Sequence, residues 1–366
     1  MICELLRAGK KVGITAVSHK VIRKLLEEVL DAAKGEKLPV QCIAKVKEKS
    51  KKPKSEIIET TSNRTVLDAL QSGEARLGAG TAWLWARGEF ESSVDVLFVD
   101  EAGQMSLADV LAVSQATKSV VLLGDPQQLE QPLQGTHPPD VDSSALQHIL
   151  GSLRTMPPDA GLFLSETRRL SPAICQFTSE LFYENRLKPH EGLERQMLAG
   201  PTRFAGSGLW FVPALHDGNQ SSSIEEATIV QHLVDDLLQP GVSWVDKDGV
   251  ERPLGLDDIL IVAPYNAQVF NITERRPDAR VGTVDKFQGQ EAPVVIYSMT
   301  TSSPEDAPRG MEFLYSINRF NVATSRARCA CILIGNPRLF EPDCQTPRQM
   351  KLANALCRYQ EMAACR

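Results

Sequence analysis

Short, continuous runs of Val, Ile and Leu recur along this chain, each followed by a stretch with helical periodicity. Runs of strand length fall at 11–17, 94–99, 119–123, 161–164, 208–212, 258–262, 292–299 and 329–334. Between several of them the apolar residues change period. The clearest case is 19–33, where Val21, Ile22, Leu25, Leu26, Val29 and Leu30 gather into one stripe. A strand that is apolar at consecutive positions needs cover on both faces, and helical crossovers between strands supply that cover while keeping the strands parallel. The expected class is α/β, with parallel sheets covered by helices.

The 366 residues suffice for two domains, each with its own core. The texture changes at 132–160, where Pro132, Pro138, Pro139, Pro157 and Pro158 cluster with Gly135 and Gly151, around a short helix expected at 143–150. The domains are therefore expected at 1–150 and 155–345. A packing helix is expected at 346–366, where Met350, Leu352, Ala355 and Leu356 form a stripe. The segment 34–63 reads as an irregular, solvated insertion because it carries Lys45, Lys47, Lys49, Lys51, Lys52 and Lys54. At the start, Ile2, Leu5 and Leu6 open a helical stripe that Gly9 would end, and nothing ahead of Met1 caps it. The chain thus reads as beginning partway along an element.

The formal charge is −6, so any contact with nucleic acid must be confined to a local groove rather than spread over a basic surface. No apolar run approaches the ~18 residues of a membrane span, which argues against a membrane partner. The eight cysteines form no C-x-x-C pair, so neither a zinc knuckle nor a disulfide framework is indicated, and the reading is of reduced thiols in a cytoplasmic protein.

The strand at 94–99 runs into Asp100-Glu101. Ligands of parallel sheets bind at the carboxyl ends of strands, where one carboxylate can hold a magnesium ion beside nucleotide phosphates and the second can activate water. The strand at 119–123 runs into Gly124-Asp125-Pro126-Gln127-Gln128. Gly-Asp-Pro is good turn chemistry, and a glutamine there can bond both a phosphate and a water. Two arginine clusters follow, Arg168-Arg169 and Asn318–Arg328, suited to charge developing on a transferring phosphoryl group. Between them, in Thr283-Val284-Asp285-Lys286-Phe287-Gln288-Gly289-Gln290-Glu291, the glycine, amides and acid could meet ribose and phosphate. Thr283 and Lys286 could face a nucleic-acid backbone without reading its sequence.

Taken in order, Asp100-Glu101-Ala102-Gly103-Gln104, the run 124–132, Arg169-Leu170-Ser171-Pro172, the run 283–291 and the run 321–328 resemble motifs II to VI of superfamily 1 helicases. The resemblance spans nearly the whole chain. It is nearest to the 5′→3′ branch that includes the RNA-surveillance helicase and the helicase halves of bacterial fused RecB-like nuclease–helicase proteins. Ser18 and His19 then resemble motif Ia and Thr81 motif Ib, while Tyr265 and Gln268 match a strand-contacting segment of the second domain. The family implies two RecA-like domains that close on ATP and step along a single strand of DNA or RNA. It implies Mg²⁺ at Asp100 and Glu101, with Glu101 activating water. Gln128, Arg169 and Arg326 would sense the γ-phosphate, and Gly289 and Glu291 would meet the nucleotide. Ser18, His19, Thr81, Tyr265, Gln268, Thr283 and Lys286 would meet the strand. Arg168 stands where the family more often has an aromatic residue, and Ser171 where it often has histidine.

One family element is missing from the sequence. No G-x-x-x-x-G-K-[ST] occurs, and Gly9-Lys10-Lys11 lacks both the upstream glycine and the hydroxyl residue. In the family, the phosphate loop precedes the helix with which this chain begins, and the strand before that loop lies inside the first sheet. Two expectations follow: a helicase core whose phosphate loop and attached nuclease domain lie outside these residues, or an inactive nucleic-acid-binding remnant. In either case the first domain is expected to be incomplete and unstable.

Overall fold

A computed structural model describes residues 1–50, 56–129, 143–287 and 289–365. It divides into two units, Met1–Leu153 and Arg154–Arg366. Most of the proline cluster expected at the boundary lies outside the described residues, as do Lys51, Lys52 and Lys54 of the basic segment.

In unit 1 the strands are β1 (Val12–Thr15), β2 (Cys42–Lys45), β3 (Ile57–Thr60), β4 (Leu77–Ala79), β5 (Val94–Val99) and β6 (Thr117–Leu122). They pair in the order β3-β2-β4-β1-β5-β6, all parallel. Alternate side chains serve two cores. Val12, Ile14, Cys42, Ala44, Leu77, Ala79 and Phe98 pack with α1 (Ile2–Arg7) and α2 (His19–Gly35). On the other face Trp85, from α4 (Ala82–Trp85), lies over Gly13 and Gly78, where any Cβ would stand 3.0–3.2 Å from its indole. The Trp85 Nε1–H donates to the carbonyls of Ile14 and Gly80, so the indole is held without an unpaired donor. Two further helices, α3 (Asn63–Ser72) and α5 (Leu107–Ser114), precede α6 (Ala145–Leu150). Each of these three begins on a serine whose hydroxyl accepts a backbone N–H of the first turn.

Unit 2 repeats the class. Its main strands are β7 (Gly208–Pro213), β8 (Ile259–Val262), β9 (Arg280–Gly282), β10 (Ala292–Ser298), β11 (Ala327–Gly335) and the short β12 (Ala364–Cys365). Their order is β9-β8-β10-β11-β7-β12, again parallel. One face packs on α8 (Ile224–Leu237) and Ile272 of α9 (Asn266–Arg275). On the other, Phe177 of α7 (Pro172–Phe182) meets Phe320 and Tyr359 edge-on, with centroids 5.9 and 5.4 Å away. Between β10 and β11 come α10 (Gly310–Leu314) and α11 (Ile317–Thr324), and Tyr359 belongs to α12 (Pro347–Met362). Its hydroxyl bonds the carbonyls of Trp210 and Cys331, pinning the last helix to the sheet.

Three expectations need correction. The run 161–164 forms no strand: it has no neighbour to pair with, and Leu162 and Leu164 are 80% and 75% exposed. The segment 34–63 is not an irregular insertion, because it holds the end of α2 and both β2 and β3. Its lysines obscured two four-residue strands, of which Cys42, Ile43, Ala44 and Ile57 are buried. Nor is β6 a buried strand. It reads as one in sequence, but it forms a sheet edge with no residue fully buried, because no strand among the described residues flanks its outer side. The first sheet is otherwise continuous, with no break between its strands. Among the described residues no helix is long and apolar enough to cross a membrane.

Candidate functional site

Parallel pairing brings the ends of β1, β4, β5 and β6 to one rim of unit 1. Ser18 and His19 follow β1, Thr81 follows β4, Asp100 and Glu101 follow β5, and Asp125 and Gln128 follow β6. Asp100 accepts the Glu101 backbone N–H at 3.0 Å. Partial burial pushes the Asp100 carboxyl above its usual range, against the pull of that bond. Glu101 turns out of the strand at φ +54°, uncommon for a residue with a Cβ, and its carboxylate accepts from Gln104 at 3.2 Å. The two loops interlock through glycine. A Cβ on Gly103 would lie 2.6 Å from the Asp125 carbonyl, and one on Gly124 would lie 2.8 Å from the Ala102 nitrogen. The Ala102 N–H donates to the Leu123 carbonyl at 2.7 Å, so the motif after β5 is braced by the motif after β6. Gln128 donates to Asp125 at 3.0 Å, and Asp125 also accepts the Gln127 N–H. Asp125, which the sequence presents as turn chemistry, is therefore what holds Gln128.

Of the residues expected to meet a strand here, Ser18 caps α2 through the Val21 N–H at 3.3 Å. Thr81 starts α4 with no side-chain cap. His19 is half-buried, and burial followed by Lys45 and Lys47 holds its pKa below the usual value.

The arginine-bearing set of unit 2 lies at the opposite rim of its sheet. Glu291 and Arg326 immediately precede β10 and β11, so they stand at amino ends. Arg169 pairs with Glu291 through Nε and donates to the Ser325 carbonyl at 3.3 Å. Its loop is pinned where the Ser171 N–H meets the Arg328 carbonyl at 3.2 Å and the Gln196 amide meets the Arg169 carbonyl at 2.7 Å. Arg326 is only 2% exposed, while Gly289 is exposed at φ +73°. The structure thus joins Arg169 to Glu291, two residues that the resemblance had given separate contacts.

The carboxyl rim of unit 2 carries a cavity of about 370 Å³ lined by Tyr265, Asn266, Thr283, Arg309, Phe313 and Arg319. Thr283 is where the resemblance implies a strand contact. Tyr265 lines the cavity too, although it is 93% buried. Gln268 departs from expectation. It is fully buried, its carbonyl takes the Ser223 N–H at 2.7 Å, and its amide donates to Ser298 at 3.0 Å. With both ends occupied it ties Ser223 to Ser298 inside the unit and does not line the cavity. Lys286 is exposed but donates to the Val281 carbonyl at 2.7 Å.

Under this rim lies a buried polar network that no sequence motif signalled. The Glu226 carboxylate, wholly buried, accepts from Ser298 at 2.6 Å, from the Thr300 N–H at 2.8 Å and from His216 Nε2 at 3.0 Å. His216 Nδ1 lies 2.7 Å from Ser302 Oγ, which accepts the Asn219 N–H at 2.9 Å. A neutral imidazole protonated on Nε2 satisfies every member. Thr300 has φ +78°, an outlier for a β-branched residue, and the Glu226 bond holds it there. In sequence Glu226 is simply the acid three residues after a helix-capping serine, a position usually exposed.

A family model described as an AAA domain (AAA_12) matches residues 141–338, more than half of the chain. The chain belongs to this family. Three curated relatives of this AAA domain protein carry helicase names. "DNA polymerase alpha-associated DNA helicase A" of Schizosaccharomyces pombe is 27% identical over 265 residues, 66% of this chain and 37% of that protein. "Helicase sen1" of the same organism is 25% identical over 347 residues, 90% of this chain and 19% of that protein. "Putative helicase mov-10-B.2" of Danio rerio is 30% identical over 297 residues, 67% of this chain and 28% of that protein. The chain therefore spans well under half the length of each. Family and relatives together place it with superfamily 1 helicases, as its ordered motifs implied.

Proposed function

We propose that the chain is the motor core of a helicase or translocase, coupling ATP hydrolysis to movement on a single strand of DNA or RNA. The observation that carries this reading is the braced pair of loops in unit 1, where Asp100, Glu101 and Gln128 share one rim through the Gly103–Gly124 contact. The donor set there suits a hard divalent cation. Asp100 is a half-buried carboxylate whose pKa is raised, chiefly by burial, and a bound cation would offset that cost. Among the described residues no three His, Cys, Asp or Glu groups converge, so Mg²⁺ would complete its shell with water and phosphate oxygens. Bound there, the ion would neutralise phosphate charge. Glu101 is read as the group that orients and deprotonates water, and Arg169 and Arg326 on unit 2 as the cations for transferring charge.

The sequence contains no phosphate-cradling loop, so in this reading residues outside these 366 supply that contact. The alternative reading is a strand-binding remnant without turnover. Phosphate release from ATP, measured with and without single-stranded oligonucleotide on protein that includes the phosphate-contacting residues this reading requires, as wild type and as Glu101→Gln, separates them. The motor reading expects a strand-stimulated rate that falls by about two or more orders of magnitude in the variant. Strand binding with no release under any condition would leave the remnant reading standing.

A further inference from the structure

A second cavity of unit 2, of about 260 Å³, takes in none of the residues assigned to nucleotide or strand. It is lined by Arg168, His190, Glu191, Arg195, Lys247 and Asp248. Three separate segments bring these side chains together, and each is fixed by its own bonds. Arg168 follows the two-residue strand Glu166–Thr167, which pairs in parallel with Lys188–Pro189, and the His190 N–H meets the Thr167 carbonyl at 2.9 Å. Arg195 closes a short helical turn that starts from Gly192 at φ +96°, where a Cβ would stand 3.1 Å from the Lys247 carbonyl. Lys247 and Asp248 form the tip of the hairpin joining Ser243–Val245 to Glu251–Pro253. Asp246 fixes that tip by accepting the N–H groups of Asp248 at 2.9 Å and Val250 at 3.0 Å.

The charges of this cavity are free. Arg169 is engaged by Glu291, but among the described residues its neighbour Arg168 forms no ion pair, and neither do Arg195 and Lys247. Two guanidinium groups and an ammonium therefore face one space without a partner, beside the carboxylates of Glu191 and Asp248. Donor count and charge select the anion. A carboxylate or a phosphodiester brings one charge and two free oxygens, too few for three cations on three segments. A phosphate monoester brings nearly two charges at neutral pH and three terminal oxygens, and guanidinium forks fit such oxygens in pairs. The remaining groups accept. His190 Nδ1 lies 2.8 Å from the Glu191 carbonyl, which can only accept, so the proton sits on Nδ1 and Nε2 is left as an acceptor. With the two carboxylates, that makes three acceptors suited to hydroxyl groups.

We propose that this cavity binds a small phosphate monoester on a hydroxylated carrier, a sugar phosphate by chemical class. Arg168, Arg195 and Lys247 hold the phosphate, and His190, Glu191 and Asp248 take the hydroxyls. The inference does not depend on the helicase reading, because the cavity shares no residue with the sites that reading uses.

The test is calorimetric titration of the full 366-residue chain with ribose 5-phosphate, inorganic phosphate and ribose, at neutral pH and constant ionic strength. Wild type should bind ribose 5-phosphate, bind inorganic phosphate more weakly and leave ribose unbound. Arg168→Gln and Arg195→Gln should each weaken ribose 5-phosphate about tenfold or more, the loss of a charged hydrogen bond. Glu191→Gln removes a negative charge, so inorganic phosphate should bind no more weakly than before while the advantage of ribose 5-phosphate shrinks. Lys351→Gln, on the exposed side of α12 and outside the cavity, should behave as wild type. Melting temperatures without ligand should agree across the variants, which ties any loss of binding to the cavity. Failure of both phosphates to bind would overturn the inference, and so would wild-type affinity in Arg168→Gln and Arg195→Gln. Inorganic phosphate binding as tightly as ribose 5-phosphate would overturn the hydroxyl contacts and leave free phosphate as the occupant.

Discussion

At the scale of single residues, the buried Glu226 shows how much a lone carboxylate can organise. It accepts three hydrogen bonds in a place that water does not reach, and one of them holds Thr300 in a left-handed conformation. Glu226→Ala would leave three buried donors unsatisfied at about 1–3 kcal/mol each, so unit 2 should lose at least about 3 kcal/mol in denaturant titration. An unchanged unfolding midpoint would show that the network relaxes freely. Asp100 poses the opposite case. Its carboxylate is disfavoured by burial in the absence of a cation, so Asp100→Asn should raise the melting temperature at neutral pH while abolishing stabilisation by added Mg²⁺. A variant that melts lower, or still responds to Mg²⁺, would move the cation site elsewhere. Asp100, Glu101 and Gln128 were legible in sequence because each follows a recognisable strand. Gln268 was read as a surface contact because one sequence cannot show which side of a helix start faces inward. Arg309 and Phe313 went unnoticed because their stacking depends on the first turn of the short α10, which the sequence did not reveal.

At the scale of elements, strand runs and capped helices were the readable part, since local composition dictates them. Helix α2 begins on Ser18 and follows the stripe from Val21 to Leu30. The errors came where pairing, not composition, decides. Residues 161–164 have strand-like character but no neighbour, and β2 and β3 are strands despite flanking lysines, because the sheet edge beside β4 accepts them. The interlock of the loops after β5 and β6 is likewise tertiary. Gly103→Ala would drive a Cβ to 2.6 Å from the Asp125 carbonyl, and backbone cannot yield as a side-chain tip can. This substitution should cost about 1–3 kcal/mol and separate Gln128 from the acidic pair, lowering turnover more than strand affinity. Wild-type turnover in Gly103→Ala would mean that the two loops act independently.

At the scale of the whole molecule, two parallel α/β units carry different chemistry at their rims. Unit 1 gathers its acids and Gln128 at the carboxyl ends of its strands. Unit 2 places Arg169 and Glu291 at amino ends and its cavity of about 370 Å³ at carboxyl ends. Among the described residues no strand pairs the outer edge of β6, so unit 1 should melt before unit 2 in a calorimetric scan, and a single cooperative transition would contradict that. A motor differs from a binding protein in that its two ligands feel each other. The most direct measurement is the dissociation constant for a single-stranded oligonucleotide with and without saturating Mg²⁺-nucleotide, in wild type and in Arg169→Ala. The account predicts a shift of about fivefold or more in wild type that disappears in the variant. Equal strand affinity in both conditions would contradict it, and would identify a chain that holds nucleic acid without driving it.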